Sequence, residues 1–378
     1  MDFSKKFCFV IPGWVTKHTG GAELQSHFIA EELIERGWQV EVVTIKPDNL
    51  ELIKENRYYN PKIKYHYYKN HKLALMTWFA VFLKLLKTDS SVYYQRTISI
   101  ISGATALFSK LFRKKMIFAI AHDDDVKKDF YKVPFRNVKV NSFIFRVVKW
   151  FDYRFLNFSN SYGIRNANTI LAQTNYQKSE LSKNYGLNAE LIRNSYDSSF
   201  RNENPEKENI VIWVGNMRKF KRAELFPEII SRLDVPGWKF VMIGRTYPYV
   251  EDKINSFSMK NFTYTGQLPY EQAESYFKKA KVLISTSTSE GFSNTFIHAW
   301  LHETLIVSLN VNPDSLFDNN YLGYCFDDDI DAMVDKLGEI LKNFDLQKQI
   351  LSQAKEFAKK ELNLSSNVDR LEEFIDEL

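Results

Sequence analysis

The pattern of apolar and polar positions predicts that short strands alternate with amphipathic helices in the first half of the chain. Residues 7–12 form an apolar run of strand length, and residues 22–36 place apolar side chains along one helical face. Gly37 ends that helix, and residues 39–45 supply a second strand. Later strands are predicted at 63–68, 91–94, 115–121, 169–173 and 189–192. Such alternation favours a parallel sheet with helices on both faces.

A polar stretch then interrupts the alternation. Residues 201–209 have no apolar periodicity and predict a linker. The alternation restarts with strands at 210–214, 238–243, 262–264 and 281–284 and helices at 220–233 and 270–280, and residues 330–378 are helical in pattern. We therefore predict an α/β protein of two doubly wound halves. A cleft at their junction would be fed by the carboxyl ends of both sheets.

Composition limits the classes of partner. The chain has 378 residues, 44% of them hydrophobic, and a net charge of +5, which is too mild to indicate a nucleic-acid partner. Anionic substrates or an anionic membrane surface are compatible with it. Cys8 and Cys325 are the two cysteines and lie far apart, so we predict no disulfide framework and a reducing cytoplasm. The chain opens directly on a strand pattern, without a signal-peptide pattern.

Two apolar segments of the first half raise the question of membrane contact. Residues 73–86 fall short of the ~20 apolar residues that a spanning helix needs, and Lys84 interrupts them. Residues 141–158 mix aromatic side chains with Arg146, Lys149 and Arg154. This is the composition of an interfacial anchor, and also of an ordinary amphipathic helix whose basic side chains snorkel. Peripheral membrane contact is therefore a hypothesis. Its alternatives are a buried helix of the first domain at 73–86 and an ordinary amphipathic helix at 141–158.

The polar turn at residues 285–296 separates an apolar strand from a helix. Its backbone N–H groups lie at the positive end of the helix dipole, where a phosphate binds readily. Glu290 would repel a phosphate, but its carboxylate can accept hydrogen bonds from sugar hydroxyls. The turn thus suits a ligand with both a phosphate and a sugar. Alternatively, Ser293 or Asn294 simply caps the helix and Glu290 is solvated.

Two further loops follow predicted strands. Gly20 and Gly21 allow a ligand to approach the backbone, although the G-x-G-x-x-G fingerprint of dinucleotide sites is missing and a plain tight turn is the alternative. The second loop, residues 215–222, contains four basic residues that can stabilise a diphosphate as a leaving group. We choose Lys221 and one arginine as the phosphate contacts and expect the others to be solvated.

The sequence His122-Asp123-Asp124-Asp125 follows another predicted strand. Carboxylates attract hard cations, but adjacent residues do not converge on one ion without a special loop, and no second acidic cluster is evident. We therefore predict no metal. His122 would instead hydrogen-bond a substrate hydroxyl or carbonyl oxygen. No Ser-His-Asp spacing, nucleophile elbow, Walker A loop or zinc pattern is found in the sequence.

Together these motifs resemble the retaining glycosyltransferases of family 4, which have the GT-B fold. The resemblance rests on residues 20–23, on Gly215 with Lys221, and on Glu290-Gly291-Phe292, and it covers nearly the whole chain. It implies two Rossmann-like domains that face a central cleft. Residues 1–203 would bind the acceptor and residues 204–361 the nucleotide sugar, with residues 362–378 packing back on the first domain.

The resemblance also implies the reaction. A metal-independent enzyme would transfer a sugar, with retention, from a UDP- or GDP-sugar to a glycan or lipid-linked glycan in polysaccharide or glycoconjugate biosynthesis, in the cytoplasm or at the inner membrane face. The nucleotide sugar is a substrate, and no cofactor is expected. His122, Lys221 and Glu290 are the implied catalytic residues. The implied donor contacts are Gly20, Gly21, Gly215, Asn216, Arg218, Lys221, Arg222, Gly266, Glu290, Gly291, Phe292, Ser293, Asn294, Thr295 and His298.

Two positions depart from the family pattern. The family often has a second glutamate eight positions after the first, where this chain has His298, and an arginine where this chain has Asn216. An imidazole can still hydrogen-bond a ribose hydroxyl, and Arg218 or Arg222 can supply the missing charge. The alternatives are a non-catalytic GT-B protein that binds nucleotides or glycans, and a GT-B epimerase.

Overall fold

A computed structural model describes residues 5–16, 20–128, 142–196, 205–318 and 321–378. The chain divides into two compact units. Unit 1 comprises Met1–Arg193 and Leu364–Leu378, and unit 2 comprises Asn194–Asn363. The first division, at 193/194, lies ten residues before the expected boundary at 203/204, and the second, at 363/364, lies two residues after the expected 361/362. Residues 201–204 of the predicted linker lie outside the described residues.

Unit 1 contains a parallel sheet of seven strands. The strands are β1 (Lys6–Val10), β2 (Gln39–Ile45), β3 (Lys64–Tyr68), β4 (Val92–Arg96), β5 (Lys115–Ala119), β6 (Thr169–Ala172) and β7 (Glu190–Leu191). Their spatial order is β3-β2-β1-β4-β5-β6-β7, and every pairing is parallel. The strand order reverses between β1 and β4, which is where α/β folds place ligand crevices.

Helices connect these strands and cover the sheet. They are α1 (Gly21–Glu35), α2 (Leu50–Lys54), α3 (Ala74–Leu85), α4 (Ile101–Leu111), α5 (Phe143–Arg165) and α6 (Asn175–Tyr185). Helices α4 and α5 cross closely, because Gly103 and Gly163 have no side chain to separate them: a Cβ added at Gly103 would lie 2.4 Å from Oγ of Ser159. The predicted alternation of strands and helices is confirmed.

Unit 2 contains a second parallel sheet, of six strands. They are β8 (Glu208–Val214), β9 (Lys239–Ile243), β10 (Phe262–Tyr264), β11 (Ala280–Ser285), β12 (Leu305–Ser308) and β13 (Tyr324–Cys325). The order β10-β9-β8-β11-β12-β13 is the 3-2-1-4-5-6 arrangement of a Rossmann-like sheet. Its switch point lies between β8 and β11. The helices are α7 (Leu225–Ser231), α8 (Pro248–Ser256), α9 (Tyr270–Lys279), α10 (Asn294–Leu301), α11 (Ile330–Lys342) and α12 (Lys348–Glu361).

Sequence patterns misjudged two parts of unit 2. The helix predicted at 220–233 is a short 3-10 turn, Lys219–Lys221, followed by α7. Arg222 separates them because its backbone is left-handed, with φ of 45°, and a continuous helix cannot pass through that conformation. Strands β12 and β13, of four and two residues, were not among the strands predicted with bounds.

The last helix, α13 (Leu364–Asp376), returns to unit 1 and packs beside α1. Arg36, just after α1, donates to Asp369 at 2.5 Å and to Glu372 at 2.7 Å. The indole of Trp38 donates to the same Glu372 carboxylate at 2.6 Å. The C-terminal helix therefore belongs to the first unit, as the resemblance implied.

Candidate functional site

Unit 2 brings together the loop after β8 and the loop after β11, at the carboxyl edge of the sheet. Lys221 in the first loop contacts Oε1 of Glu290 in the second. Both side chains are largely withdrawn from solvent, with 16% and 11% of their surface exposed. Ser287 donates a further hydrogen bond of 2.8 Å to the same carboxylate oxygen. The predicted phosphate-binding cation and sugar-binding carboxylate thus lie side by side.

A buried threonine fixes the two loops to each other. Thr286 is fully buried, and its hydroxyl donates to the carbonyl of Lys221 at 2.6 Å. The same hydroxyl accepts a hydrogen bond of 2.9 Å from the indole of Trp213 in β8. The backbone of Thr288 also donates to the carbonyl of Phe220 at 2.8 Å. The position of Lys221 is therefore set by the loop that holds Glu290.

Arg222 belongs to the scaffold of these loops. Its Nε donates to the carbonyl of Thr286 at 2.8 Å, and its guanidinium pairs with Asp328 at 2.6 Å. The hydrogen bond from Arg222 lowers the pKa of the Asp328 carboxyl. Because two partners already hold Arg222, the exposed Arg218 is the arginine better placed to receive an anion. Asp328 has no local sequence signal that could have identified it.

The start of α10 presents backbone N–H groups without a side-chain cap. Ser293 occupies the N-cap position, but its side chain makes no capping bond to the helix backbone and instead lies 2.9 Å from the hydroxyl of Thr295. Asn194, which was not among the predicted site residues, donates to the carbonyl of Phe292 at 2.7 Å and to the side chain of Asn294 at 2.9 Å. Asn194, a residue of unit 2, therefore holds the turn before α10 in place through two hydrogen bonds.

Phe292 and Gly291 are buried, and they contribute backbone to the turn. The Phe292 ring is 2% exposed and packs near Trp300, with ring centroids 5.9 Å apart. A ligand contact at Phe292 is thus limited to its main chain. The hydrophobic anchor fixes the loop between β11 and α10.

Glycines allow the neighbouring strand ends to approach closely. A Cβ added at Gly244, after β9, would lie 1.8 Å from the carbonyl oxygen of Gly215, after β8. Gly244 donates its N–H to the carbonyl of Gly266 at 2.9 Å, and both glycines have positive φ. Gly215 also lies against Lys221, whose Cε would be 3.7 Å from an added Cβ. Asn216 follows as a partly exposed residue of the same loop.

An aromatic and basic cluster extends this loop. Arg245 donates to the phenol of Tyr247 at 3.0 Å, and Lys219 lies 5.8 Å from the ring centroid of Tyr249. The hydrogen bond from Arg245 lowers the pKa of Tyr247, with a further contribution from Arg218. Arg245, Tyr247 and Tyr249 were not predicted, because the stretch after β9 lacks a recognisable glycine pattern.

His298 lies one turn into α10 and contacts α9. Its Nε2 is 3.5 Å from the hydroxyl of Tyr270, and its ring centroid is 5.5 Å from that of Phe277. The side chain is partly buried. A role of His298 in binding ribose remains a prediction.

The other predicted contacts belong to unit 1. Gly20 is the N-cap of α1 and Gly21 its first residue, and α1 is the helix that follows β1 in the chain. A Cβ added at Gly20 would lie 2.3 Å from the Glu23 carboxylate, so a side chain at position 20 would require the flexible Glu23 side chain to move. Thr19 lies outside the described residues.

His122 caps a short 3-10 turn after β5. Its Nδ1 accepts a hydrogen bond from the N–H of Asp124 at 3.2 Å. Asp125 is buried and accepts from the N–H groups of Ala121 and His122 and from the Thr97 hydroxyl. Burial raises the pKa of Asp125, and these bonds oppose the rise. The acidic run therefore has a structural explanation.

The other two aspartates also have hydrogen-bond or ion-pair partners within the fold. Asp123 accepts from Gln177 at 3.0 Å, and Asp124 pairs with Lys127 at 2.6 Å. Over the described ranges, no group of three His, Cys, Asp or Glu side chains is arranged to hold a metal ion.

Within those same ranges, no helix is both long and apolar enough to cross a membrane.

Comparison with known proteins agrees with this architecture. Residues 19–200 match the model of Glycosyltransferase Family 4, and residues 208–343 match that of Glycosyl transferases group 1. Over 175 residues the chain is 31% identical to the GalNAc-alpha-(1->4)-GalNAc-alpha-(1->3)-diNAcBac-PP-undecaprenol alpha-1,4-N-acetyl-D-galactosaminyltransferase of Campylobacter jejuni. That alignment spans 44% of this chain and 46% of the relative, about half of each.

Solved structures match over the full length. The Anabaena protein HepE, crystallised with UDP and glucose, has a TM-score of 0.72 at 13% identity, covering 99% of this chain and 100% of that one. A glycosyltransferase from Rickettsia africae has a TM-score of 0.72 at 16% identity and covers 98% of both chains. At these identities the likeness shows the fold alone.

The two Rossmann-like units define a protein of the GT-B class, which confirms the predicted fold class. Together, the two family models match most of both units. The chain therefore belongs to the GT-B glycosyltransferases of the family 4 type, as the motifs indicated.

Proposed function

We propose that the protein transfers a sugar from a nucleotide-diphosphate sugar to a glycan or lipid-linked glycan acceptor, with retention and without a metal. The contact between Lys221 and Glu290 is the observation that supports this best. An ammonium suits a diphosphate and a carboxylate suits sugar hydroxyls, so the pair suits a ligand that contains both. The two residues follow β8 and β11, the strands at the switch point of the sheet.

In this proposal Lys221 and the open start of α10 stabilise the negative charge on the departing diphosphate. Arg218 assists them, because Arg222 is held by Asp328 and Thr286. Glu290 orients the transferred sugar through its hydroxyls. His122, in unit 1, would hydrogen-bond near the transferred sugar.

The bond changes are those of a retaining transfer without a protein nucleophile. The bond from the anomeric carbon to the diphosphate oxygen breaks, and the acceptor oxygen forms its bond to the same carbon on the same face. The acceptor proton passes to the departing phosphate. Catalysis then consists of orientation and of stabilisation of the leaving group.

The comparisons suggest the partners. HepE was crystallised with UDP, which supports a UDP-sugar donor here, with a GDP-sugar as the other candidate. The Campylobacter relative is named for a glycan on undecaprenol diphosphate, which supports a lipid-linked acceptor. Such an acceptor would place the reaction at the cytoplasmic face of a membrane, in polysaccharide or glycoconjugate biosynthesis.

The test begins with thermal unfolding in the presence of UDP-, GDP-, ADP- and TDP-sugars. A ligand that binds only the native state raises the unfolding temperature by mass action, so the correct donor should stand out. Transfer of the labelled sugar is then measured for wild type, for Glu290→Gln and for Glu228→Gln. Glu228 is an exposed glutamate of α7 and is the matched control.

We expect Glu290→Gln to lower transfer by about 100-fold or more, with Glu228→Gln unchanged. The product should keep the donor's anomeric configuration by NMR, and a chelator should leave the rate unchanged. Full activity of Glu290→Gln would refute the site. Donor binding by wild type without hydrolysis or transfer would favour the non-catalytic alternative.

A further inference from the structure

Three helices of unit 1 form a layer whose outer surface is apolar. Helices α3, α4 and α5 pack against one another on one side of the sheet. Most of the large hydrophobic side chains exposed among the described residues lie on these helices or directly after them: Leu75, Met76, Phe79, Leu83, Leu86, Leu111, Phe112, Phe143, Ile144, Phe145, Val148, Phe151 and Phe158. A concentration of this kind on one layer marks an interaction surface.

The outer face of α3 is apolar along its whole length. Thr77, Val81 and Leu85, spaced by four, are buried against the unit. Leu75, Phe79 and Leu83 repeat with the same spacing on the opposite side, and they are 46%, 55% and 58% exposed. An ordinary surface helix places polar residues on that side. Helix α3 therefore presents two apolar faces, one to the core and one outward.

Helix α5 has an outward apolar face of its own. Ile144, Val148 and Phe151 follow one another at helical spacing and are 73%, 40% and 61% exposed. The helix is fixed to its neighbours further along: a Cβ added at Gly163 would lie 2.5 Å from Cβ of Ser102 in α4.

Two contacts also fix α3 to α5. Asp152 of α5 accepts a hydrogen bond of 2.6 Å from the N–H of Ala74 at the start of α3. The rings of Trp78 and Phe155 pack edge to face, with centroids 6.4 Å apart. The outward residues of both helices thus belong to one packed layer.

All but one of the charged residues in these three helices are basic. Asp152 is the only acidic residue within α3, α4 and α5, and it serves as the cap of α3. The basic residues of the same helices are Lys84, Lys110, Arg146, Lys149, Arg154 and Arg165. Apolar side chains among cations favour an anionic bilayer, which attracts each lysine or arginine near its surface. A second copy of this chain would instead oppose positive charge with positive charge.

We propose that the outward faces of α3 and α5 dock on an anionic lipid bilayer. Since no described helix can span a membrane, the docking is peripheral, with the aromatic side chains inserted at the headgroup boundary. The proposal goes beyond the proposed reaction, because none of the donor-loop residues takes part in it.

The test is flotation of the full chain with phosphatidylcholine vesicles that contain or lack phosphatidylglycerol, at low and high salt. We expect binding to the anionic vesicles to be about tenfold tighter or more, and to weaken with salt. The double substitution Phe79→Ser with Phe151→Ser should reduce that binding by a similar factor. Leu346→Ser is the matched control, since Leu346 is 79% exposed in unit 2 and should leave binding unchanged.

A second variant separates the charge from the apolar surface. Arg154→Gln, on α5, should lower binding to the anionic vesicles and leave binding to neutral ones unchanged. Arg154 is exposed, so the unfolding temperature should stay near that of wild type. Equal binding to both vesicle types by the wild type would overturn the proposal.

Two other results would also overturn it. One is vesicle binding that survives the Phe79 and Phe151 substitutions. The other is a dimer in sedimentation experiments that these substitutions dissociate, without any vesicle binding. Sugar transfer to a water-soluble acceptor distinguishes this proposal from the proposed function. If the wild type transfers sugar but does not bind vesicles, only the docking surface is refuted.

Discussion

The ammonium of Lys221 contacts the Glu290 carboxylate across the switch point of the second sheet, although the two residues are 69 positions apart. Both are mostly buried, so each side chain compensates a charge that would otherwise lack its main partner. Removal of one member leaves the other charge partly desolvated and uncompensated.

We predict that this pair is energetically coupled. Lys221→Met and Glu290→Gln should each lower the free energy of unfolding by about 1–3 kcal/mol. The double variant should lose less than the sum, with a coupling of about 1 kcal/mol or more. Urea unfolding measures all three. The exposed pair Lys336–Glu339 is the control, and equal coupling in both pairs would contradict the prediction.

The crossing of α4 over α5 predicts opposite effects for two Gly→Ala substitutions. A Cβ at Gly103 would meet the side chain and backbone of Ser159 at 2.4–2.9 Å, so Gly103→Ala should destabilise the fold by about 1–3 kcal/mol. Gly338 lies inside α11 with its nearest such contact at 4.0 Å. Gly338→Ala should therefore stabilise by about 0.5–1 kcal/mol. Thermal unfolding measures both, and equal effects would refute this account of the crossing.

Glu41 predicts a loss of stability in acid. Burial opposes its ionisation, but hydrogen bonds from His66, from the N–H of Asp89 and from Lys64 and Ser90 prevail and lower its pKa to about 2. The folded-state pKa thus lies below the usual 4.5. The stability that ionised Glu41 adds to the fold is therefore complete above about pH 4.5 and is lost as pH falls through about 2.

Protonation of Glu41 in acid should lower the free energy of unfolding by about 3 kcal/mol. Unfolding of wild type and Glu41→Gln is measured between neutral and strongly acidic pH. The variant is less stable at neutral pH, and its acid dependence should be shallower. Glu339→Gln, at an exposed position, should keep the wild-type slope. If the free energy of unfolding falls equally with pH in wild type and Glu41→Gln, Glu41 is not the source of the acid sensitivity.

We predict that Arg36 stabilises the attachment of the last helix, α13, to α1. Its guanidinium is 19% exposed and joins Glu32 on α1 to Asp369 and Glu372 on α13. Arg36→Met should cost about 2 kcal/mol, because three carboxylates lose their cation. Arg232→Met removes an exposed pair with Asp331 and should cost less than about 1 kcal/mol. Hydrogen exchange in α13 should quicken only in the Arg36 variant; slow exchange in both would argue against the attachment.

The sequence by itself determined most of the strands and the composition of the loops that follow them. Buried parallel strands are short apolar runs, so β8, β9 and β11 were found near their observed bounds, and the polar turn before α10 was recognised by Glu290 and Gly291. Strands β12 and β13 were missed although β6, β7 and β10 are of similar length and were found, so strand length does not explain the difference.

The tertiary structure alone decided which residues meet. Thr286 and Trp213 are 73 positions apart, and Asn194 and Asn294 are 100 apart; they touch because of the order of the strands, which local patterns do not specify. The same holds for Arg222, whose pairing with Asp328 leaves Arg218 as the exposed arginine. The composition of residues 73–86 fitted a buried helix or a membrane-surface helix, and that of residues 141–158 fitted an interfacial anchor or an ordinary amphipathic helix. Packing against α4 buries one side of α3 and leaves its other apolar side exposed.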